Sequence, residues 1–139
     1  YSIKFVVTGD ISRYRDYKKI DIPDNVILTG YVSSSKFDEL LVNCTGVLGL
    51  TVFEGIQLSV ANEAVGSCKP MVISDTNTLK SLFYKGAVYV ETLSAKSIAA
   101  GCEKVFSYHK SYSEEVKKLK NERIARWEKQ AFQIIELTK

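Results

Sequence analysis

Phe53-Glu54-Gly55-Ile56-Gln57-Leu58-Ser59-Val60-Ala61-Asn62-Glu63-Ala64-Val65-Gly66-Ser67-Cys68-Lys69-Pro70-Met71-Val72-Ile73-Ser74-Asp75 carries the pattern that decides the fold. It reads as the end of an apolar strand, an acidic glycine loop, a helix bearing Glu63, and a second strand opened by Pro70. A loop and helix start just after a buried strand form a natural anion site, because free backbone N–H groups point at whatever sits there. A carboxylate about one turn into that helix can accept hydrogen bonds from the hydroxyls of a sugar. The arrangement suits a nucleotide-sugar.

The same grammar recurs on either side. Short runs rich in β-branched residues, flanked by Gly, Pro, Asn or Asp, predict strands over 3–8, 26–29, 46–51, 71–74 and 87–90. Helical patterns lie between them. One covers 33–41 with capping serines at its start, one lies near 58–67, and one spans 78–84 with its end at Gly86. Ser94 caps a further helix whose apolar positions Ile98, Cys102, Val105 and Phe106 share a face. A last helix or helix pair over 113–137 presents Val116, Leu119, Trp127, Ala131, Ile134 and Ile135. Strand–helix alternation with continuously apolar strands predicts an α/β fold: a Rossmann-like parallel sheet of about five strands with helices on both faces. Such sheets bind ligands beyond the carboxyl ends of their strands. The loop from Glu54 to Glu63 and the Gly30-Tyr31 turn both fall at carboxyl ends, so they are expected to face one crevice.

Bulk properties narrow the function. With 139 residues, 45% of them hydrophobic and 25% charged, the chain has the size of one domain, residues 1–139, and an ordinary globular composition. The net charge of +3 resides in residues 110–139, where eight Lys/Arg face five Glu. A nucleic-acid binder shows a denser basic face, so no nucleic-acid partner is expected, and Lys117-Lys118-Leu119-Lys120 reads as a solvated helix face. Cys44, Cys68 and Cys102 lack CxxC spacing and read as buried free thiols, which points to the reducing cytoplasm. His109 is the single histidine, so no metal site is expected. No apolar run approaches the ~18 residues that span a bilayer. A chain that opens on Tyr1, with Met71 its only methionine, reads as a piece of something longer.

These motifs together resemble the C-terminal, donor-binding domain of GT-B glycosyltransferases of the large "group 1" family, which are retaining enzymes. Asp24-Asn25-Val26-Ile27-Leu28-Thr29-Gly30-Tyr31-Val32 is similar to the family's N-V-x-F-x-G-x-V segment. Glu54-Gly55, Glu63-Ala64 and Pro70-Met71-Val72-Ile73-Ser74-Asp75 resemble its E-G-F-G-x-x-x-x-E-A … P-V-V-A-S-D signature, and Arg126-Trp127-Glu128 its late S-W-E. The resemblance implies that Glu63 binds ribose hydroxyls. It places Glu54 near the transferred sugar as the catalytic carboxylate, and the Gly55, Ile56, Gln57 and Leu58 backbone near sugar and diphosphate. Gly30, Tyr31 and Val32 would border the base. Trp127 reads as an anchor for the last helix, Asp10 as a turn cap or a neighbour of the cleft, and Thr76-Asn77-Thr78 as a helix cap.

By this resemblance the chain is expected to be the donor-nucleotide part of a retaining glycosyltransferase, moving a sugar from a nucleotide diphosphate to a glycan or lipid-linked acceptor without metal or other cofactor. The acceptor would be held by an N-terminal domain outside this sequence, and this part alone is expected to be inactive. Localisation would be cytoplasmic, with any membrane association belonging to the full-length protein. The alternative is a non-catalytic nucleotide-binding or protein-interaction domain that keeps the fold.

The chain departs from the family in three ways. Eight residues separate Glu54 from Glu63 where the family has seven, and Gln57 replaces a glycine. Either one insertion preserves both glutamates' roles, or Glu54 is a polar loop residue. The family's first strand, with its Arg/Lys pair, also has no counterpart here. Because that strand is central in the usual order, the remaining five are expected either to close ranks or to leave a disturbed sheet edge.

Overall fold

A computed structural model describes residues 3–138, which divide into two compact units, Tyr1–Asn43 and Cys44–Lys139. All five expected strands form, and all pairing between them is parallel, so the chain is α/β. They do not make one sheet. Two strands pair in the first unit and three in the second.

In the first unit β1 (Phe5–Thr8) pairs with β2 (Val26–Gly30), with Phe5 opposite Val26 and an irregularity between Val7 and Thr8. Asn25 ties the start of the pair by donating its side-chain amide to the Ile3 carbonyl at 2.9 Å. Two 3₁₀ turns, Ile11–Arg13 and Tyr17–Lys19, fill the connection. The helix α1 (Ser34–Asn43) follows, with the Lys36 N–H donating to Ser33 Oγ at 3.3 Å as a serine cap should. Cover on both faces does not extend to this pair. Val6 and Val7 are each 46% exposed and Ile27 45%.

The second unit is built as a parallel sheet requires. Its strands β3 (Val47–Gly49), β4 (Met71–Ser74) and β5 (Ala87–Val90) lie in that order, so β4 is central and every one of its residues is buried. The helices are α2 (Ser59–Gly66), α3 (Asn77–Leu82), α4 (Ala95–Ser107) and α5 (His109–Leu137). Side chains alternate between faces of a strand, and the packing follows that alternation. Met71 and Ile73 join Ala61, Ala64 and Val65 of α2, Leu79 of α3, Phe83, and Val116 and Leu119 of α5 in one core. On the other face Gly101 of α4 sits where a Cβ would lie 2.5 Å from Val90 Cγ1 and 3.1 Å from Val72 Cγ1, so glycine permits the helix to touch the sheet. Pro70, itself buried, opens β4 and accepts the Val47 N–H on its carbonyl at 2.9 Å.

Three expectations about helices are corrected. α5 is a single helix that starts at His109 rather than near 113. Its first half carries Val116 and Leu119 into the core, but Trp127 is 69% exposed, so it anchors nothing within the described residues. Phe106 likewise points to solvent, whereas Cys102 and Val105 of the expected face are buried, together with Gly101.

Candidate functional site

The carboxyl ends of β3, β4 and β5 are joined by hydroxyls. The Thr51 N–H donates to Ser74 Oγ at 2.8 Å, while the Thr92 hydroxyl stands 2.7 Å from Ser74 Oγ and 3.0 Å from the Thr51 carbonyl. A hydroxyl has one hydrogen, so if Thr92 donates to the carbonyl, Ser74 donates to Thr92 and the ring closes. Ser74 is fully buried, and this ring satisfies it. It also fixes the floor from which the 51–58 loop departs.

Glu54 sits in that loop and turns toward α3. Its Oε1 accepts the Thr78 N–H at 2.9 Å, with Thr78 Oγ1 at 3.5 Å. Thr76 Oγ1 accepts the Leu79 N–H at 3.2 Å, so Thr76 caps α3 as expected and Glu54 adds a second cap from across the loop. Gly55, Ile56 and Gln57 are exposed. Leu58 packs its side chain against the core, which leaves only its backbone for a ligand. Gln57, standing where a glycine was expected, donates to Asn62 Oδ1 at 3.1 Å and so ties the loop to α2.

Arg123 of α5 reaches the same Asn62 oxygen at 3.1 Å, bonds the Leu82 carbonyl, and lies 4.8 Å over the Phe83 ring. Its partial burial, helped by nearby Arg126, lowers its pKa. No local motif announces this residue, because its partners lie 41 and 61 positions away.

Glu63 falls one turn into α2 and is exposed. Among the described residues its carboxylate has no hydrogen-bond or ion-pair partner. The start of α2, after Leu58, has no side-chain cap either; Ala61 and Asn62 donate to the Leu58 carbonyl, which leaves the Ser59 and Val60 amides without a partner among the described residues. Glu54 and the Gly55–Gln57 backbone lie in the loop after β3 and Glu63 on the helix that follows it, with Glu54 turned to α3 and Glu63 to solvent.

Gly30, Tyr31 and Val32 belong to the other unit, at the carboxyl end of β2. Gly30 has φ 68°, Tyr31 is exposed, and Val32 is half-buried. Asp10 proves to be a turn cap. Its Oδ1 accepts the Ser12 hydroxyl at 2.6 Å and the Ser12 N–H at 2.9 Å, and these bonds hold its pKa below the ordinary aspartate value.

Of the three free thiols only Cys102 is buried, while Cys44 and Cys68 are half-buried. Burial pushes the Cys44 and Cys102 thiols up, against the pull of Lys69 on Cys44. His109 is half-buried at the start of α5, with Nδ1 3.1 Å from the Phe106 carbonyl. Among the described residues no three His, Cys, Asp or Glu side chains are grouped to hold a metal ion, and no helix is long and apolar enough to cross a membrane.

Fold and loop define an α/β protein with an acidic glycine loop and an uncapped helix at the carboxyl edge of a parallel sheet. Neither a family model nor a curated protein matches the chain.

Proposed function

We propose that the chain is the donor-nucleotide-binding part of a retaining glycosyltransferase. The observation that carries this reading is the disposition of Glu63: a solvent-facing carboxylate with no partner among the described residues, one turn into a helix without a side-chain cap that follows the 50–58 loop from the carboxyl end of the parallel strand β3. Carboxylate and open amides are complementary to ribose hydroxyls and to a diphosphate. The order of Gly30-Tyr31-Val32, Glu54-Gly55, Glu63-Ala64 and Pro70 to Asp75 along the chain supports the same reading.

The strand order supports the finer fold assignment. In a doubly wound sheet ordered 3-2-1-4-5-6, removal of the first strand leaves a pair and a triplet. The pairings β1–β2 and β3–β4–β5 are that pair and that triplet. The whole enzyme would then complete one Rossmann-like sheet and hold a glycan or lipid-linked acceptor on a second domain.

Glu54 fits a supporting role better than a catalytic one. Its carboxylate is engaged by Thr78, so it shapes the loop and the start of α3. Contact with the donor sugar would require that hydrogen bond to open.

Turnover and donor affinity of the full-length parent, measured across a panel of nucleotide-sugars, test the proposal. Glu63→Ala is expected to weaken donor binding by roughly tenfold or more, as loss of a charged hydrogen-bond acceptor does. Unchanged affinity and turnover in that variant would remove the central residue from the site and overturn the assignment.

A further inference from the structure

Arg123 ties α5 to the rest of the second unit through Asn62, the Leu82 carbonyl and the Phe83 ring. Beyond it the helix runs on through Leu137, about four more turns, and of residues 124–137 only Ala131 is not exposed. Four of these residues keep the spacing of a two-helix seam. Ile124, Trp127, Ala131 and Ile134 follow one another at intervals of three, four and three, and Ile135 widens the stripe. Ile124 is 47% exposed, Trp127 69%, Ile134 63% and Ile135 55%. Arg126, Lys129, Gln133 and Glu136 occupy the opposite side of the helix. That polar side carries both signs of charge and an amide, unlike the strongly basic side of a helix that lies on a lipid surface.

We propose that this stripe is the interface with a second copy of the chain, whose α5 runs antiparallel to the first with Lys129 at the centre of the seam. The occupant follows from the order of side-chain sizes. In that pairing residues equidistant from 129 meet, so Ile124 faces Ile134 of the second copy and Trp127 faces its Ala131. The indole fills the gap over the small side chain, and the two-fold axis repeats the contact. A parallel pair would set Trp127 against Trp127 and Ala131 against Ala131, crowding one layer and emptying the next. It would also bring the packed halves of both α5 helices to the same end, whereas the antiparallel sense keeps them at opposite ends. At the exposures above, the four large side chains leave roughly 450 Å² of apolar surface per copy. With Ala131 and the flanking Glu128 and Gln130 stems, the pair buries roughly 1,000 Å², the low end for a specific interface. A dimer of micromolar affinity is therefore expected.

Trp127 is the only tryptophan, so its emission reports directly on this face. In sedimentation equilibrium of this chain, monomer and dimer are expected to balance at roughly 1–100 μM, with the emission shifting to the blue in step. Trp127→Ala should weaken the dimer by at least about tenfold. Ala131→Leu should do the same, because the added side chain blocks the notch that receives the indole. Exchanging the two, Trp127→Ala with Ala131→Trp, should restore the dimer, since a small residue again faces a large one across the axis. These positions lie on the uncovered stretch of the helix, so circular dichroism of the variants should match the parent. A chain that stays monomeric up to about 300 μM with solvent-like emission would overturn the proposal. So would assemblies larger than a dimer, or an exchange variant that stays monomeric. Association that Ala131→Leu tightens would be general apolar adhesion, and the two-fold pairing would fail. A blue shift produced by vesicles of phosphatidylglycerol and phosphatidylcholine, in a chain that sediments as a monomer, would assign the stripe to a lipid surface and overturn the second copy as its occupant.

Discussion

Strands β1 and β4 are each four residues long, with β-branched pairs at their centres and parallel neighbours, yet they live in opposite surroundings. β4 lies between two strands and is buried at every position, with α2, α3 and α5 side chains against one face and Gly101 of α4 against the other. β1 pairs on one side only, and its Val6 and Val7 are 46% exposed. Strand propensity does not separate them, since β1 is the richer in β-branched and aromatic residues. Cover differs, and a parallel strand acquires its stability from cover on both faces. The second unit should therefore carry most of the measurable stability of this chain.

The largest contrast comes from deleting side chains. Phe83 is fully buried and among the largest side chains in the core, so Phe83→Ala should destabilise by about 3–5 kcal/mol in chemical denaturation. Val7→Ala in the other unit should lose under about 1 kcal/mol, since 46% of that valine stays exposed and no closed cavity is left behind. Comparable losses at the two sites would break the comparison.

Glycines sharpen it. Gly30 and Gly86 have nearly the same backbone, φ 68° and 72°. At Gly86 a Cβ would lie 2.1 Å from Val116 Cγ2 and 2.7 Å from the Val116 nitrogen, so α5 would have to move. At Gly30 it would meet nothing within 4 Å. Gly86→Ala adds overpacking to left-handed strain and should lose about 2–5 kcal/mol, whereas Gly30→Ala should lose only the strain, about 1–2 kcal/mol. Denaturant midpoints of the two variants check the difference.

What could be read in advance divides along the same line. Met71–Ser74 and Ala87–Val90 match the expected strands, because apolar β-branched runs bounded by turn residues determine their own ends. Caps at Ser94 and Thr76 were equally legible, since they depend on residues three positions away. Exposure was not. Trp127 and Phe106 sit at apolar positions of their helices, and periodicity records the stripe but not whether anything packs on it. Nothing between Ser107 and Ser113 forbids helix, and α5 accordingly begins at His109. In the site, Glu63 on its helix was legible from local spacing. The Glu54–Thr78 and Asn62–Arg123 contacts join residues 24 and 61 positions apart, and no local pattern encodes such pairs.

A smaller effect concerns the left-handed backbone of Cys68, φ 54°, just past the end of α2, where the Lys69 N–H donates to the Ala64 carbonyl at 2.8 Å. The first unit uses glycine at its left-handed positions, Gly9 and Gly30, whereas here a side chain occupies the conformation that glycine favours after a helix. Cys68→Gly should stabilise by about 1 kcal/mol, seen as a raised denaturation midpoint, because relief of strain outweighs the added freedom of the unfolded chain. Cys68→Val should do the reverse.

The smallest effect separates two exposed ion pairs. Lys19–Asp16 in the first unit, at 2.7 Å, joins neighbours three positions apart and constrains little. Glu122 of α5 instead receives hydrogen bonds from Lys85 and from Tyr84, the latter at 2.8 Å, and so ties the long helix to the loop before β5. Lys85 first, and then Tyr84, hold the Glu122 carboxyl below its ordinary value, and the Tyr84 hydroxyl is raised in return, chiefly by Glu122. A carboxylate whose folded pKa is depressed stabilises the fold above its unfolded pKa, and the contribution fades as pH falls through the folded one. Glu122→Gln should therefore lower the thermal midpoint slightly at neutral pH, and the gap to the parent should close below about pH 4, the ordinary glutamate range. Asp16→Asn should leave the midpoint unchanged at neutral pH, since its pair ties no distant element to the fold. A gap for Glu122→Gln that persists in acid would show that the glutamine disturbs α5 by its shape, and the charge-based link between α5 and the loop would fail.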